Sequence, residues 1–310
     1  MLFAELALFA LVLESVIGYS DRLNKRIPHP VIWYGRIISY FDGKFNLETD
    51  SDSLQKRKGL ISLVFFVAIA LSIGLVIQGF FSLFGAIGFL LLVLASTTGL
   101  AQLSLDTHVQ RVYKDLLKKD LEAARQSVSM IVGRDPENLS EEQVVTAALE
   151  SLSESFNDGV VAPAFWLLVG GLPGLAVYKI VNTADSMIGH RDLKYKNFGW
   201  ASAKFDDLLN YIPARISGLL IVIACRRGLI PMLRQAKLHD SPNAGWPESA
   251  MAGGLKVKLG GLATYSGEVL IRPIFGTGEY PTLADFKKGI RISRISHFLL
   301  WMLVLLLVIL

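Results

Sequence analysis

Three carboxylates spaced four residues apart are the first feature of the sequence that could support chemistry. Glu150, Glu154 and Asp158 would share one face of a helix. Like charges on one stripe repel each other unless a cation or basic groups lie among them, and Mg²⁺ binds hard oxygen ligands of this kind together with substrate phosphates. We therefore take the three residues as candidate metal ligands. A solvated acidic face is the alternative.

Two further segments combine carboxylates with amides. KIVNTADSMIGH carries Lys179, Asn182 and Asp185 directly after an apolar stretch, and an unpaired charge near a membrane is costly, so these are candidate functional residues. A helix cap is the alternative for Asn182 or Asp185 alone.

The segment KFDDLLNYIPAR contains four more candidates. Three of them lie within one helical turn, and the fourth lies one turn further along the chain. They are Asp206, Asp207, Asn210 and Arg215. Adjacent acids cannot share a helix face, so at most one of Asp206 and Asp207 faces the partners of Asn210.

Two turn-like segments add candidate binding residues. SPNAGWPE suits a rigid turn that presents Asn243 and Glu248, although a plain structural loop fits it equally well. PHPVIWYGR holds His29 between two prolines and Arg36 after a glycine. His29 is a candidate acid or base, and a structural role in the turn is the alternative.

The composition identifies the bilayer as the natural solvent of these segments. Of the 310 residues, 52% are hydrophobic, and the formal net charge is only +4. Mean hydropathy is +0.45. Lys/Arg runs interleaved with aromatics are absent from the sequence, so we expect no nucleic-acid partner. The sequence also lacks a P-loop, a GxGxxG turn, HExxH and GxSxG, and its single cysteine excludes a thiolate metal cluster.

We predict an all-α integral membrane protein, folded as a single domain over residues 1–310. Apolar runs of about 20 residues predict transmembrane helices. The four secure spans are 1–18, 59–79, 80–103 and 295–310, and amphipathic cytoplasmic helices are expected within 104–158. Two apolar segments, 160–178 and 212–225, are broken or short, so each is expected to be a bent or re-entrant element. Ser140 with Gln143 predicts a capping box at the start of a helix.

Basic residues beside the spans set the expected orientation. Arg22, Lys25, Arg26 and the run Lys56–Lys58 flank the connection 19–58, which is therefore expected on the cytoplasmic side. The same rule places 104–158 and 226–294 in the cytoplasm. We expect a multi-pass protein of the bacterial inner membrane whose polar segments form one cytoplasmic-side pocket.

In their order along the chain these motifs resemble the CobD/CbiB type of adenosylcobinamide-phosphate synthase, a membrane protein family of cobalamin biosynthesis. The matching segments are HPVIWYGRII (29–38), IVGRD (131–135), ESLSESFNDGVVAP (150–163), YKIVNTADSMIGH (178–190), ASAKFDDLLNYIPAR (201–215), SPNAGWPESAMAGGL (241–255) and LGG (259–261). The family usually has Gly-Asp-Pro shortly before its HPV motif, and that tripeptide is absent here. Asp21 is the candidate replacement.

The resemblance implies an enzyme that uses ATP and Mg²⁺ to join a propionate carboxylate of adenosylcobyric acid to aminopropanol or its phosphate. We assign the candidates as follows. The metal ligands are Glu150, Glu154 and Asp158; the catalytic residues are Asp185, Asp206, Asp207 and Lys179; the substrate-binding and phosphate-binding residues are His29, Arg36, Arg134, Asn182, Asn210, Arg215, Asn243 and Glu248. Membrane lipid is a further expected partner, and a homo-oligomer or a partner protein is left open.

Two other functions compete with the synthase. A non-catalytic sensor or regulatory relative of the AmpE-like kind should have lost the acidic and amide positions, and this sequence keeps them. A transporter also combines broken apolar helices with polar residues. The two halves of this sequence show no inverted repeat, which weakens that alternative.

Overall fold

The computed structural model describes residues 2–18, 28–265 and 268–310, which are mostly helical with one two-stranded sheet. The elements are α1 (Leu2–Ile17), α2 (Pro30–Phe45), α3 (Asp52–Ser82), α4 (Gly85–Thr97), α5 (Gln102–Leu117), α6 (Leu121–Ser129), α7 (Glu141–Phe156), a π-helical turn (Asn157–Val161), α8 (Ala162–Ile188), α9 (Trp200–Leu209), α10 (Tyr211–Cys225), α11 (Leu229–Gln235), a 3-10 turn (Ala236–Leu238), α12 (Gly245–Leu255), β1 (Lys258–Tyr265), β2 (Glu268–Gly276) and α13 (Leu283–Ile309). Asp21, Arg22, Lys25 and Arg26 lie outside the described residues.

The predicted class, a helical multi-pass membrane protein, is confirmed. Among the described residues, four helical stretches are long and apolar enough to cross a membrane, namely Asp52–Ser82, Gly85–Leu117, Glu141–Ile188 and Leu283–Ile309. α9 and α10 pass the same test together but are bent by 49°. The expected hairpin is also present, because only Leu83 and Phe84 separate α3 from α4.

The four stretches are not the same four that the sequence predicted. α1 has 16 residues, and a rise of 1.5 Å per residue gives it about 24 Å, less than the roughly 30 Å of a hydrocarbon core. Its place is taken by Glu141–Ile188, which contains the segment 160–178 that was expected to be broken. The description of 160–178 as bent is nevertheless correct, since the helix is kinked at Gly171.

The chain divides into two compact units, each described by itself, and the expectation of a single domain stays a prediction. The first unit comprises Met1–Ala101, Ala162–Asn210 and Val304–Leu310, and the second comprises Gln102–Val161 and Tyr211–Leu303.

In the first unit, α3 packs against α8 and both contribute to one buried apolar core. The largest buried side chains of that core include Phe66, Tyr178 and Phe198. The kink of α8 lies beside α3. Gly171 adopts a φ of +61°, and the freed backbone N–H of Leu172 donates to the Oε1 of Gln78 at 2.9 Å. A polar side chain of one helix therefore satisfies the backbone that the break exposes, as burial in an apolar medium requires.

In the second unit, α7 is the central element, since eleven of its sixteen residues are buried. Its start shows the predicted capping box, in which Ser140 accepts from the backbone N–H of Gln143 and Gln143 accepts from that of Ser140. A π-helical turn follows at Asn157–Val161. Because such a turn adds a residue to the helical repeat, it interrupts the four-residue stripe between Glu154 and Asp158.

The antiparallel hairpin of β1 and β2 was not predicted from the sequence. Its register shifts between Leu259 and Gly261, where the strand bulges. Gly260 in the bulge adopts a φ of +93°, and a Cβ there would lie 1.9 Å from the carbonyl oxygen of Pro273. The segment LGG is thus required by geometry, because a side chain at position 260 would be both strained and obstructed.

Candidate active site

The second unit contains a group of six ionisable side chains, three of them buried and three half-buried, which we call the carboxylate–arginine cluster. Its members are Arg134, Glu150, Glu154, His239, Glu248 and Arg272. Glu248 is 0% exposed and Glu150 is 1% exposed. All members except Glu248 line a cavity of about 250 Å³. Buried charges are tolerated only when they are paired, so the contacts within the cluster determine what it can do.

Glu150 is held by three donors. Arg134 donates to its Oε2, and the Nη1 of Arg272 donates to the same oxygen at 2.7 Å. The backbone N–H of Gly260 donates to its Oε1 at 2.5 Å. Charge-assisted bonds of this kind are among the strongest in proteins. Glu150 therefore anchors two arginines and the hairpin bulge, and its oxygens are already engaged.

Arg272 connects Glu150 to a second buried carboxylate. Its Nη2 donates to the Oε1 and Oε2 of Glu248 at 3.2 and 3.3 Å. The Nε2 of His239 lies 3.3 Å from the same Nη2. Burial, followed by the charge of Arg272, lowers the pKa of His239 to about 4. At neutral pH this imidazole is therefore uncharged.

The hydrogen bonds assign the tautomer of His239. Its Nδ1 accepts the backbone N–H of Ser241 at 2.9 Å, so the proton of the neutral ring is on Nε2. That nitrogen lies 3.5 Å from the Oε1 of Glu248. His239 is thus a neutral donor beside a carboxylate.

Glu154, His239 and Glu248 form the candidate metal site among the described residues. One ligand atom from each lies within 4.8 Å of the others. Burial, and after it the charge of Glu154, raises the pKa of Glu248 well above its ordinary value. A divalent cation would relieve this repulsion. The two carboxylates fit the preference of Mg²⁺ for oxygen ligands, whereas His239 could ligate a cation only after its Nε2 lost its proton or its Nδ1 released the Ser241 N–H.

The predicted metal triad is therefore distributed differently in the structure. Glu154 belongs to the candidate metal site, whereas Glu150 is paired with arginines. Asp158 is the second residue of the π-helical turn, and it accepts from the side-chain amide of Asn157 at 2.7 Å.

Two predicted binding residues of this unit contact each other, since Arg215 donates to the Oδ1 of Asn243 at 3.2 Å. The guanidinium of Arg215 also lies 4.6 Å from the ring centre of Trp246.

The first unit assembles a separate amide and carboxylate group around Asp206. Asn210 donates to its Oδ2 at 2.9 Å, and Asn182 donates to its Oδ1 at 3.4 Å. Tyr178 donates to the Oδ1 of Asn210 at 3.2 Å, which fixes the orientation of that amide. Asp206 is buried, whereas Asp207 pairs with the exposed Lys204 at 3.1 Å. As predicted, only one of the adjacent acids faces Asn210.

The other candidates of this unit are less enclosed. His29 caps α2, because its Nδ1 accepts the backbone N–H of Val31 at 3.2 Å. Burial, followed by the charge of Lys179, lowers the pKa of His29. Arg36 is exposed and stacks on Trp33, 5.0 Å from the ring centre. Asp185 and Lys179 are half-buried on α8.

The sequence analysis did not identify two members of the cluster, Arg272 and His239, or the backbone donor Gly260. Arg272 lies in an apolar strand that carried no motif, and His239 precedes the SPNAGWPE segment. The backbone donor Gly260 belongs to the LGG segment, to which the sequence analysis assigns no role. A basic residue inside the apolar run VLIRPIF was the available signal, since a buried arginine needs an acidic partner.

These features define a multi-pass membrane protein with a carboxylate–arginine cluster. The chain belongs to the CobD/CbiB family, whose model, described as CobD/Cbib protein, matches residues 7–293.

Curated relatives agree with this assignment. A protein of Sinorhizobium sp is 46% identical over 294 residues, which is 91% of each chain. A protein of Rhodobacter capsulatus is 44% identical over 298 residues, covering 95% of this chain and 94% of the relative. Both are named Cobalamin biosynthesis protein CobD, and this supports a role of the chain in cobalamin biosynthesis. No solved structure matches the chain.

Proposed function

We propose that the protein is an ATP-dependent carbon–nitrogen ligase of cobalamin biosynthesis. It joins a carboxylate of the corrinoid adenosylcobyric acid to the amine of aminopropanol or aminopropanol phosphate. Family membership and the names of the relatives support the pathway. The reaction rests on the resemblance of the motifs and on the chemistry of the carboxylate–arginine cluster.

The observation that carries the proposal is that two arginines and Glu154 line one cavity, with the buried Glu248 beside them. Arg134 and Arg272 are held by Glu150, while Glu154 and Glu248 supply oxygen ligands beside them. Phosphoryl transfer depends mainly on positioning and on neutralising the charge of phosphate oxygens. A cluster with fixed arginines and a pair of Mg²⁺ ligands has both capabilities.

Amide formation from a carboxylate requires activation, which we propose occurs in two steps. The substrate carboxylate attacks the γ-phosphorus of ATP, so that a C–O–P bond forms and ADP leaves. The amine then attacks the carbonyl carbon, the C–O bond breaks, and inorganic phosphate and one proton are released. Atoms and charge balance in each step, and a base is needed to take the proton of the ammonium group.

The chain's own residues supply positioning and proton transfer in this scheme. Arg134 and Arg272 orient phosphate oxygens, and bound Mg²⁺ on Glu154 and Glu248 would neutralise their charge. In the first unit we propose Asp206 as a proton acceptor, because its carboxylate is oriented by two amides. Asp185 and Lys179 stay proposed catalytic residues of that unit. The scheme gives no role to Asp207, which is half-buried and pairs with Lys204.

We further propose that the protein lies in the bacterial inner membrane with this chemistry on the cytoplasmic side, where ATP is available. The four stretches that can cross a membrane support a multi-pass arrangement. The basic connections of the sequence support the orientation.

The direct test is reconstitution of the purified protein in detergent with ATP, Mg²⁺, adenosylcobyric acid and aminopropanol phosphate. We expect an amide product, detected by mass spectrometry, and one ADP per amide. Product should disappear when ATP, Mg²⁺ or the amine is omitted. No product and no ATP turnover in the complete mixture would contradict the ligase function.

A further inference from the structure

A second cavity of the second unit, which we call the basic cavity, shares no lining residue with the carboxylate–arginine cluster. Its volume is about 810 Å³. It is lined by the end of α10 and the two residues after it, by the end of α12, and by α13 between Lys288 and Leu299. Four of them are basic, namely Arg226, Arg227, Lys288 and Arg291.

The basic cavity has an excess of positive charge. All four basic side chains are exposed, and no carboxylate lines the cavity in the part of the chain that the structure describes. Lys288 pairs with Asp285 at 2.9 Å. Within the described ranges 2–18, 28–265 and 268–310, Arg226, Arg227 and Arg291 form no ion pair. Three guanidinium groups are therefore available to an anion, and guanidinium is the group best suited to bidentate phosphate contacts.

The other wall of the cavity is apolar. Ile223, Ile295 and Leu299 belong to it, and Ile223 is 57% exposed. α10 forms part of the bent pair that can cross a membrane, and α13 is one of the four membrane-crossing stretches. At the cavity, the apolar sequence of each helix gives way to basic residues. Such a change is typical of the membrane–water interface.

We propose that the basic cavity binds an anionic phospholipid. The headgroup phosphate contacts Arg226, Arg227 and Arg291, and the acyl chains lie along Ile223, Ile295 and Leu299. Basic pockets between membrane helices bind anionic headgroups in this way. A free phosphate ion would leave the apolar wall and most of the volume without a contact, so the lipid is the better match. This inference is independent of the proposed ligase activity.

Native mass spectrometry of the full-length, delipidated protein in detergent tests the proposal. The probes are phosphatidylglycerol and phosphatidylcholine with identical acyl chains, which differ in net charge. We expect phosphatidylglycerol to bind more tightly. Arg227→Gln combined with Arg291→Gln should weaken this binding about 25-fold, since one basic residue near an anionic surface contributes roughly a factor of five.

The matched control is Lys237→Gln combined with Lys287→Gln. Both residues are exposed, belong to the same unit and do not line the cavity, so the change in net charge is the same. We expect the affinity of the control variant for phosphatidylglycerol to stay within about twofold of that of the unmodified protein. Salt screens surface charges that do not contact the lipid. An equal loss in the two double variants would overturn the proposal, as would equal binding of the two lipids by the unmodified protein.

A third variant leaves every charge in place. Ile295→Trp fills the apolar wall and should reduce phosphatidylglycerol binding while the protein remains monodisperse. Unchanged binding would contradict the placement of the acyl chains. Inorganic phosphate at millimolar concentration separates the two anion sources, because a lipid site should retain phosphatidylglycerol in its presence. Displacement of the lipid by phosphate would show a free-phosphate site instead.

Discussion

Glu150 and Glu248 are both buried, yet their surroundings give them different chemistry. Glu150 accepts from Arg134, Arg272 and the backbone of Gly260, so both of its oxygens are engaged. Glu248 is beside Glu154, and its pKa is raised by burial. We therefore assign Glu150 a structural role as an anchor of the arginines and Glu248 a role in ligand binding.

At the scale of single residues, Glu248→Gln is the most informative substitution in the carboxylate–arginine cluster. The amide keeps the volume but replaces one of the two oxygens that Arg272 and the proposed cation would contact. We expect ligase activity to fall about 100-fold, the loss typical for removal of one electrostatic contact in an active site. Glu137→Gln changes an exposed carboxylate of the same unit and serves as the control. Activity of Glu248→Gln within threefold of the unmodified protein would contradict the role, since even one lost hydrogen bond to a charged group costs more.

The adjacent acids of α9 provide a second matched pair. Asp206→Asn replaces the acceptor of two amide donors, and we expect product formation to fall about 100-fold. Asp207→Asn weakens a pair with the exposed Lys204, so activity should stay within about twofold because surface pairs contribute little. Steady-state product formation measured for both variants distinguishes them. Equal losses would show that the two acids are not functionally different.

At the scale of elements, the hairpin supplies two of the three donors to Glu150, one from the backbone of Gly260 and one from the side chain of Arg272. The bulge is what brings the Gly260 N–H to Glu150. A Cβ at this position would lie against the carbonyl of Pro273. The local conformation of the strand and the charge arrangement of the cluster therefore depend on the same residue.

Gly260→Ala should consequently lower both stability and activity. A residue with a Cβ at positive φ costs about 1–3 kcal/mol before the steric contact is added, so we expect a lower midpoint of thermal unfolding in detergent. Gly43→Ala is the comparison, since position 43 lies within α2 and a Cβ there meets nothing within 4 Å. That change should raise stability by about 0.5–1 kcal/mol. Unaltered stability of Gly260→Ala would contradict the bulge as described.

The start of α2 predicts a pH dependence. Burial, followed by the charge of Lys179, lowers the pKa of His29 in the folded state below its ordinary value of 6.5. The folded protein thus binds fewer protons than the unfolded chain, and the contribution of His29 to stability is present above pH 6.5 and is lost as the pH falls below it. Protonation also removes the Nδ1 acceptor that caps the helix.

Unfolding midpoints measured between pH 5 and 7.5 test this contribution. His29→Asn retains a capping side chain that does not titrate in this range. The unmodified protein should lose more stability than His29→Asn on acidification. Parallel pH profiles for the two proteins would exclude a role of His29.

At the scale of the whole molecule, the membrane class, the α3–α4 hairpin and the cap of α7 could be predicted because hydropathy and capping are local properties of sequence. The pairing of Asp206 with Asn210 was likewise local, since both lie within one turn. The partners of Glu150 could not be predicted. Arg272 is 122 residues away in sequence, and the bulge that presents Gly260 depends on cross-strand register. The π-helical turn also interrupts a stripe that a regular helix would have continued.

The central claim is that the protein activates a carboxylate with ATP before forming the amide, and isotope transfer tests it most directly. Adenosylcobyric acid labelled with ¹⁸O in the reacting carboxylate is converted with ATP, Mg²⁺ and aminopropanol phosphate, and the inorganic phosphate is analysed by mass spectrometry. We predict one ¹⁸O atom in the phosphate for each amide formed, because the carboxylate oxygen leaves with the phosphoryl group. Amide formation with unlabelled phosphate, or no amide at all, would contradict this claim.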